Sequence, residues 1–290
     1  MKVLIIGCGY VGQSVGSKLA SDGHEVVGIV RKTAEILKKT GIRPIVGDAT
    51  SENFWQNIEQ DFDWVINCIS SSRGDTEVYK KVYLETSIRI IHWLHNTETK
   101  KYVYTSSSSV LGYTNGSVVD ENTAPNPLNK KASILIETEE KLLEAVANKG
   151  VPNVIVRLSG IYGPDRGFLF KQFIKGEASF DPNNDRYINM IHKDDASSGI
   201  IAACKKGTPG SIYHITDSKP VLQSEFLKHL SEKLELPMPR GECQPKISKR
   251  APTNKKISNH KAISELDWTL KYPTYVEGYK DEIERILRSR

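Results

Sequence analysis

MKVLIIGCGYVGQSVG, residues 1–16, is an apolar run from Val3 to Ile6 that leads into three glycines, Gly7, Gly9 and Gly12. A short apolar run followed by G-x-G-x-x-G and a segment of helical period reads as a buried strand, a tight turn and a helix. Gly7 permits the turn, Gly9 lets the backbone approach a pyrophosphate, and Gly12 lets the helix pack closely on the strand. The backbone at Tyr10 and Val11 then faces the phosphates, helped by the helix dipole. The stretch predicts a dinucleotide site.

The end of the second strand selects the dinucleotide. An acid there usually serves the ribose hydroxyls of NAD. This chain reads Val27-Gly28-Ile29-Val30-Arg31-Lys32, without an acid. Arg31 and Lys32 suit a 2′-phosphate, so NADP is expected, with NAD as the alternative. Further on, Gly47-Asp48-Ala49-Thr50 places Asp48 and Ala49 beside the adenine, or forms a simple turn. Ser70, beyond the fourth strand, completes the expected cofactor set.

Outward from this unit, short apolar strands alternate with helical segments, the pattern of a parallel sheet with helices on both faces. Strands are expected at 2–6, 25–30, 43–46, 64–69, 101–105, 153–158 and 211–215, and helices at 11–22, 77–97 and 132–149. The fold class is α/β, a Rossmann-type doubly wound parallel sheet with a small C-terminal substrate lobe. Residues 1–159 and about 196–219 are assigned to the core, and about 160–195 and 220–290 to the lobe.

Bulk properties exclude several classes. With 38% hydrophobic and 26% charged residues, the 290-residue chain has the composition of an ordered globular protein. No apolar run approaches the roughly 20 residues of a membrane span, and no signal peptide precedes the first strand, so a cytoplasmic protein with no membrane partner is expected. Cys8, Cys68, Cys204 and Cys243 are too widely spaced to suggest a disulfide framework or a metal site. The net charge of +5 is modest, with a cluster at Lys246, Lys249, Arg250, Lys255, Lys256 and Lys261. That cluster reads as a solvated loop or as an anion contact. No aromatic-rich or helix-turn-helix pattern accompanies it, so no nucleic-acid partner is expected.

The chain resembles the extended short-chain dehydrogenase/reductases, the group of NAD-dependent epimerases, dehydratases and reductases. The resemblance rests on the glycine turn, Gly47-Asp48-Ala49-Thr50, Thr105-Ser106-Ser107-Ser108-Ser109-Val110-Leu111-Gly112, Val119-Asp120-Glu121-Asn122-Thr123-Ala124-Pro125, Arg157-Leu158-Ser159-Gly160-Ile161-Tyr162-Gly163-Pro164 and Asn189-Met190-Ile191-His192-Lys193-Asp194-Asp195. It implies a Ser or Thr at the fifth strand's end and a Tyr-x-x-x-Lys on the next helix. There the lysine lowers the tyrosine pKa, and the tyrosine exchanges a proton with the substrate hydroxyl. The serine position falls on Ser107. The tyrosine and lysine positions fall on Ala132 and Ile136, and no tyrosine occurs anywhere in 126–149. The chain is similar to the atypical subset that lacks the dyad.

Three readings follow. Chemistry continues with other residues, Ser107, Tyr113 and Tyr162 being the candidates. Alternatively, the chain is a non-catalytic, redox-responsive NADP-binding protein, or an interaction protein with a vestigial site. For the first, the reaction is that of an oxidoreductase or epimerase-like enzyme on a small polar hydroxylated substrate such as a sugar nucleotide. Arg186, Asn189 and His192 are candidate substrate contacts, His192 being better suited to a structural role. Leu84, Ile88, Ile91, Leu135, Leu142 and Val146 are compatible with a four-helix homodimer contact or with packing on the sheet.

Overall fold

A computed structural model describes residues 1–32, 34–71, 74–241 and 253–289. Cys243, Lys246, Lys249 and Arg250 lie outside the described residues. In chain order the strands are β1 (Lys2–Ile6), β2 (Glu25–Val30), β3 (Ile42–Val46), β4 (Trp64–Asn67), β5 (Lys101–Ser107), β6 (Ser117–Val119), β7 (Asn153–Leu158), β8 (Gly160–Tyr162), β9 (Tyr187–Ile188), β10 (Met190–His192), β11 (Ile212–Ile215), β12 (Val221–Leu222) and β13 (Lys255–Ile257). The helices are α1 (Tyr10–Ser21), α2 (Glu35–Lys38), α3 (Thr76–Lys80), α4 (Thr86–Leu94), α5 (Lys130–Lys149), α6 (Phe168–Ile174), α7 (Lys193–Lys206), α8 (Gln223–Leu234), α9 (His260–Leu266), α10 (Tyr275–Gly278) and α11 (Lys280–Arg288).

Seven strands form the main sheet in the order β11-β7-β5-β4-β1-β2-β3, every pairing parallel. Side chains alternate across a strand, and β1 shows why its whole run is apolar. Val3 and Ile5 enter the core layer with Val15, Leu19 and Ile200, while Leu4 and Ile6 enter the opposite layer with Ile90, Trp93 and Leu142. This is the doubly wound Rossmann-type sheet expected from the sequence.

The expected helix over 77–97 is interrupted. Residues Lys81–Glu85 form a wider π turn between α3 and α4, and the Thr86 hydroxyl donates to the Lys81 carbonyl at 2.8 Å. Leu84, Ile91, Leu135 and Leu142 are buried within this chain, and Ile88 and Val146 are half-buried. A third apolar cluster, built on Tyr162, Phe170, Phe173, Phe226, Leu230 and Tyr279, is the lobe. The stretch assigned to the lobe beyond residue 220 is divided between the two layers. Ala262, Leu266 and Trp268 pack into the sheet's own core, because α9 lies against α7, and β13 pairs with β6.

A buried polar brace ties α5 to the sheet. Arg157 on β7 and Glu139 on α5 are each 3% exposed and paired at 2.7 Å, with Ser106 donating to Glu139 at 2.5 Å. Arg157 also approaches the His214 ring at 3.5 Å, and the His214 amide donates to Glu121 at 2.7 Å. Burial first, and then the Arg157 charge, pushes the His214 imidazole down to about 3.

Two outcomes follow from the brace. Glu139→Ala leaves a buried guanidinium uncompensated and should cost about 3–5 kcal/mol in urea unfolding; a loss below about 1 kcal/mol contradicts the pairing. His214 titrates at about 6.5 unfolded and about 3 folded, so the unfolded state binds the extra proton between these values. Its stability contribution is complete above pH 6.5 and is lost as pH falls towards 3. In thermal melts across that range, His214→Phe should lose stability less steeply than the parent chain; parallel curves contradict the assignment.

Candidate functional site

A parallel sheet places all its strand ends of one polarity together, and here those C-terminal ends open into a crevice of about 2110 Å³ whose far wall is the lobe. Ligands of such sheets bind at this edge. Gly7 has φ +81°, and a Cβ on it would lie 2.6 Å from the Ile69 Cα. A Cβ on Gly12 would lie 2.5 Å from the Gly7 carbonyl oxygen, which explains the close fit of α1 on β1. At Gly9 a Cβ would meet nothing within 4 Å. Open space therefore lies over the turn.

Gly9 caps α1 with no side-chain cap, and the first turn carries no acid. The amides of that turn have no helical acceptors, so they are available to an anion. An open cradle, unblocked amides and a helix N-terminus fit a dinucleotide pyrophosphate. Tyr10 fastens the turn to the lobe: its hydroxyl donates to the Pro164 carbonyl at 2.9 Å, and Arg166 and Lys193 lie 5.0 and 5.3 Å from its ring centre.

Arg31 and Lys32 stand exposed at the end of β2, on the crevice rim. Val11, Asp48, Ala49 and Ser70 line the same end. Asp48 Oδ1 accepts from the Thr50 amide at 3.0 Å and the Thr50 hydroxyl at 2.8 Å. Burial raises this carboxyl, but Thr50, with Lys81 and Arg31, outweighs burial and holds it below its ordinary range. Cys8 and Cys68 also line the crevice, and burial pushes both thiols up to about 12, so neither is a nucleophile.

The reactive end differs from expectation at several residues. Ser107 lines the crevice, its Oγ accepting from the Ser109 amide at 3.2 Å. On α5, Lys131, Ala132 and Leu135 line it; Leu135 also belongs to the apolar cluster of Val110, Leu111 and Ile257, against which Ile136, outside the lining, packs. The pair at four-residue spacing that faces the crevice is thus Lys131 and Leu135, one position before Ala132 and Ile136. Lys131 donates to the Gly74 carbonyl at 2.9 Å and sits 5.4 Å over the Tyr79 ring. Leu135 carries no proton to exchange.

Tyr113 lies outside the crevice lining; its hydroxyl donates to the Ala124 carbonyl at 2.9 Å, beside the small cluster behind α5. Tyr162 borders the crevice, but its side chain is 1% exposed and stacks on Tyr279 at 4.3 Å. Its hydroxyl abuts Gly278, where a Cβ would come within 1.8 Å. Burial drives this phenol well above its ordinary pKa. The apolar lobe has drawn it away from solvent.

Among the substrate candidates, Arg186 lines the crevice with its Nε on Gln223 Oε1 at 2.9 Å. Asn189 also lines it, but both ends of its amide engage β13: Nδ2 donates to the Lys255 carbonyl at 2.9 Å, and Oδ1 accepts from the Ile257 amide at 2.8 Å. His192 is not part of the lining. It is 5% exposed, caps α7 by accepting from the Asp194 amide at 3.2 Å, and packs against Tyr162 and Tyr272. Burial lowers its pKa, which favours a neutral, structural ring.

Two tyrosines of the lining were not singled out by the sequence reading, and Lys255 was read only as part of a basic cluster. Tyr79 and Tyr83 lie four apart with ring centres 4.3 Å from each other, and Tyr83 accepts from the Ser71 amide at 3.3 Å. Their i, i+4 spacing on the expected helix was a readable signal. Among the described residues no cluster of potential metal ligands exists, and no helix is long and apolar enough to cross a membrane.

Comparison with known proteins agrees with this fold. Protein YeeZ of Escherichia coli K12 is 24% identical over 281 residues, covering 94% of this chain and 96% of its own length. A 3-diazoavenalumate denitrifying reductase of a Streptomyces species is 21% identical, covering 96% of this chain and 99% of its own. The solved UDP-glucuronic acid 4-epimerase of Bacillus cereus, in complex with UDP-glucuronic acid and NAD, superposes with a TM-score of 0.81 at 20% identity over the full length of both chains. The dTDP-glucose 4,6-dehydratase DesIV of Streptomyces venezuelae gives 0.85 at 16% identity, covering 100% of this chain and 98% of its own. The NAD dependent epimerase/dehydratase family matches residues 3–215, and the chain belongs to that family.

Proposed function

We propose that the protein is an NADP-dependent oxidoreductase or epimerase-like enzyme whose substrate is a small polar hydroxylated molecule of the sugar-nucleotide class. The observation that carries this reading is the continuity of the crevice. It runs from the open glycine turn, past Arg31 and Lys32, along the ends of β4 and β5 to Ser107, and on to Arg186 in the lobe. The cofactor, when bound, supplies hydride transfer. The chain's own residues hold the pyrophosphate on the α1 amides, offer two cations to a 2′-phosphate, and present the Ser107 hydroxyl to a substrate oxygen. Solved relatives named as UDP-sugar and dTDP-sugar enzymes support the substrate class.

A second reading has its own support. Lys131 and Leu135 on the crevice face of α5 do not form the usual acid/base pair. A chain that binds NADP and responds to its redox state without turnover would retain the glycine turn and have no use for the pair. Hydride exchange between NADPH and a panel of aldehydes, ketones and sugar nucleotides separates the readings: turnover supports the enzyme, and binding without turnover supports the redox-responsive protein.

Binding itself is the first test. NADPH at about 100 times its dissociation constant should stabilise the folded chain by about 2.7 kcal/mol, visible as a raised melting temperature; no rise contradicts both readings. Arg31→Ala should weaken NADPH on the order of tenfold, the value of one charge-assisted hydrogen bond. The same substitution should leave NADH unchanged. Equal loss for both nucleotides contradicts the assignment of Arg31 to a 2′-phosphate.

A further inference from the structure

Lys255 is 3% exposed and forms part of the crevice wall. Its strand, β13, is fixed from two sides, by parallel pairing to β6 and by the Asn189 amide that grips the backbone at Lys255 and Ile257. Alternation places Lys255 on the same strand face as Ile257, which packs with Val110 and Leu111 just past the serine end of β5. Lys256 takes the other face, its ammonium 4.9 Å over the Tyr187 ring.

Lys255 carries its charge without a partner among the described residues. Among the described residues its ammonium makes no hydrogen bond or ion pair, and burial alone acts on it, lowering its pKa to about 8. The titratable groups near it are the His214 ring on β11, which feels the Lys255 charge along with those of Arg157 and Asp120, Tyr187 on the neighbouring β9, and Lys256 beside it in the chain. A buried, unpaired cation is costly unless a ligand or proton exchange uses it. Of the other proton carriers, Lys131 is tied to Gly74, Tyr113 to Ala124, and Tyr162 is buried against Gly278, while Tyr79 and Tyr83 pack on each other with the Tyr83 hydroxyl accepting from the Ser71 amide.

Resting on the oxidoreductase reading above, we propose that the Lys255 amine is the catalytic residue that exchanges the proton with the substrate oxygen, in the role that no tyrosine of α5 fills. In the oxidative direction the substrate alcohol carbon gives its hydride to the oxidised dinucleotide, and the hydroxyl proton passes to the neutral amine, leaving a carbonyl and an ammonium. Reduction reverses both transfers. Asn189 is a positioning residue, holding the β13 backbone from which Lys255 projects.

The test combines a titration with kinetics. Competitive acetylation of the protein across pH 6–11, read at each lysine by mass spectrometry, should give Lys255 a midpoint near 8. A midpoint at the ordinary 10.5 overturns the proposal whether or not NADPH binds. Carbonyl reduction with NADPH is then measured on the aldehyde, ketone and sugar-nucleotide panel for the parent, Lys255→Met and Lys256→Met. Lys255→Met should lose about 100-fold or more in kcat and the limb of its pH profile near 8, while keeping its fold and its NADPH-induced melting shift. Lys256→Met should match the parent. An unchanged kcat and pH profile in Lys255→Met, or NADPH binding without reduction of any panel member by the parent, overturns the proposal. A parent that shows no NADPH melting shift defeats the underlying reading instead, leaving the acetylation midpoint to decide the state of Lys255.

Discussion

The parallel direction of all seven main-sheet strands is the constraint on which the rest of the structure depends. Parallel strands cannot be joined by tight hairpins, so each return crosses a face of the sheet, and both faces must be apolar. That requirement explains why Val3 and Ile5 are as buried as Leu4 and Ile6. It also gathers every strand's C-terminal end on one edge, where the glycine turn after β1, the cations after β2, Asp48 after β3 and Ser107 at the end of β5 meet in one crevice. The site is a consequence of strand direction before it is a consequence of any side chain.

The Glu139–Arg157 pair sets how α5 meets that edge. Two charges taken out of water at 3% exposure fix the helix's rotation, because only one phase lets Glu139 reach both Arg157 and Ser106. With that phase set, Lys131 and Leu135 face the crevice and Ile136 does not. The lobe imposes a comparable constraint on Tyr162, whose ring is stacked into an aromatic cluster with Tyr279 and Phe170. Tyr113 and Tyr162 are thereby engaged by hydrogen bonding and packing, while Lys255 of β13 joins the crevice wall.

What the sequence disclosed follows the strength of each local signal. β1, β2 and β7 match their expected bounds end to end because doubly buried strands are continuous apolar runs flanked by breakers. The crevice end at Gly7, Gly9, Arg31 and Asp48 was legible because it lies within one or two residues of those strands. The phase of α5 was not, since a one-residue shift changes the helix face by about 100° and only the buried ion pair selects it. The π turn at Lys81–Glu85 depends on a hydroxyl reaching back five residues, which periodicity does not register. β13 was hidden because Lys255-Lys256-Ile257 resembles a solvated basic loop until Asn189 and β6 pair with it.

The central claim is that the edge built by these strands holds a dinucleotide across the glycine turn with its reactive end directed towards Ser107 and β13. A crystal structure of the chain soaked with NADPH tests it most directly. The account predicts the pyrophosphate oxygens at hydrogen-bond distance, about 2.7–3.2 Å, from the Tyr10 and Val11 amides, and the nicotinamide between Ser107 and Lys255. A nucleotide bound elsewhere, or one whose nicotinamide points away from β13, contradicts it.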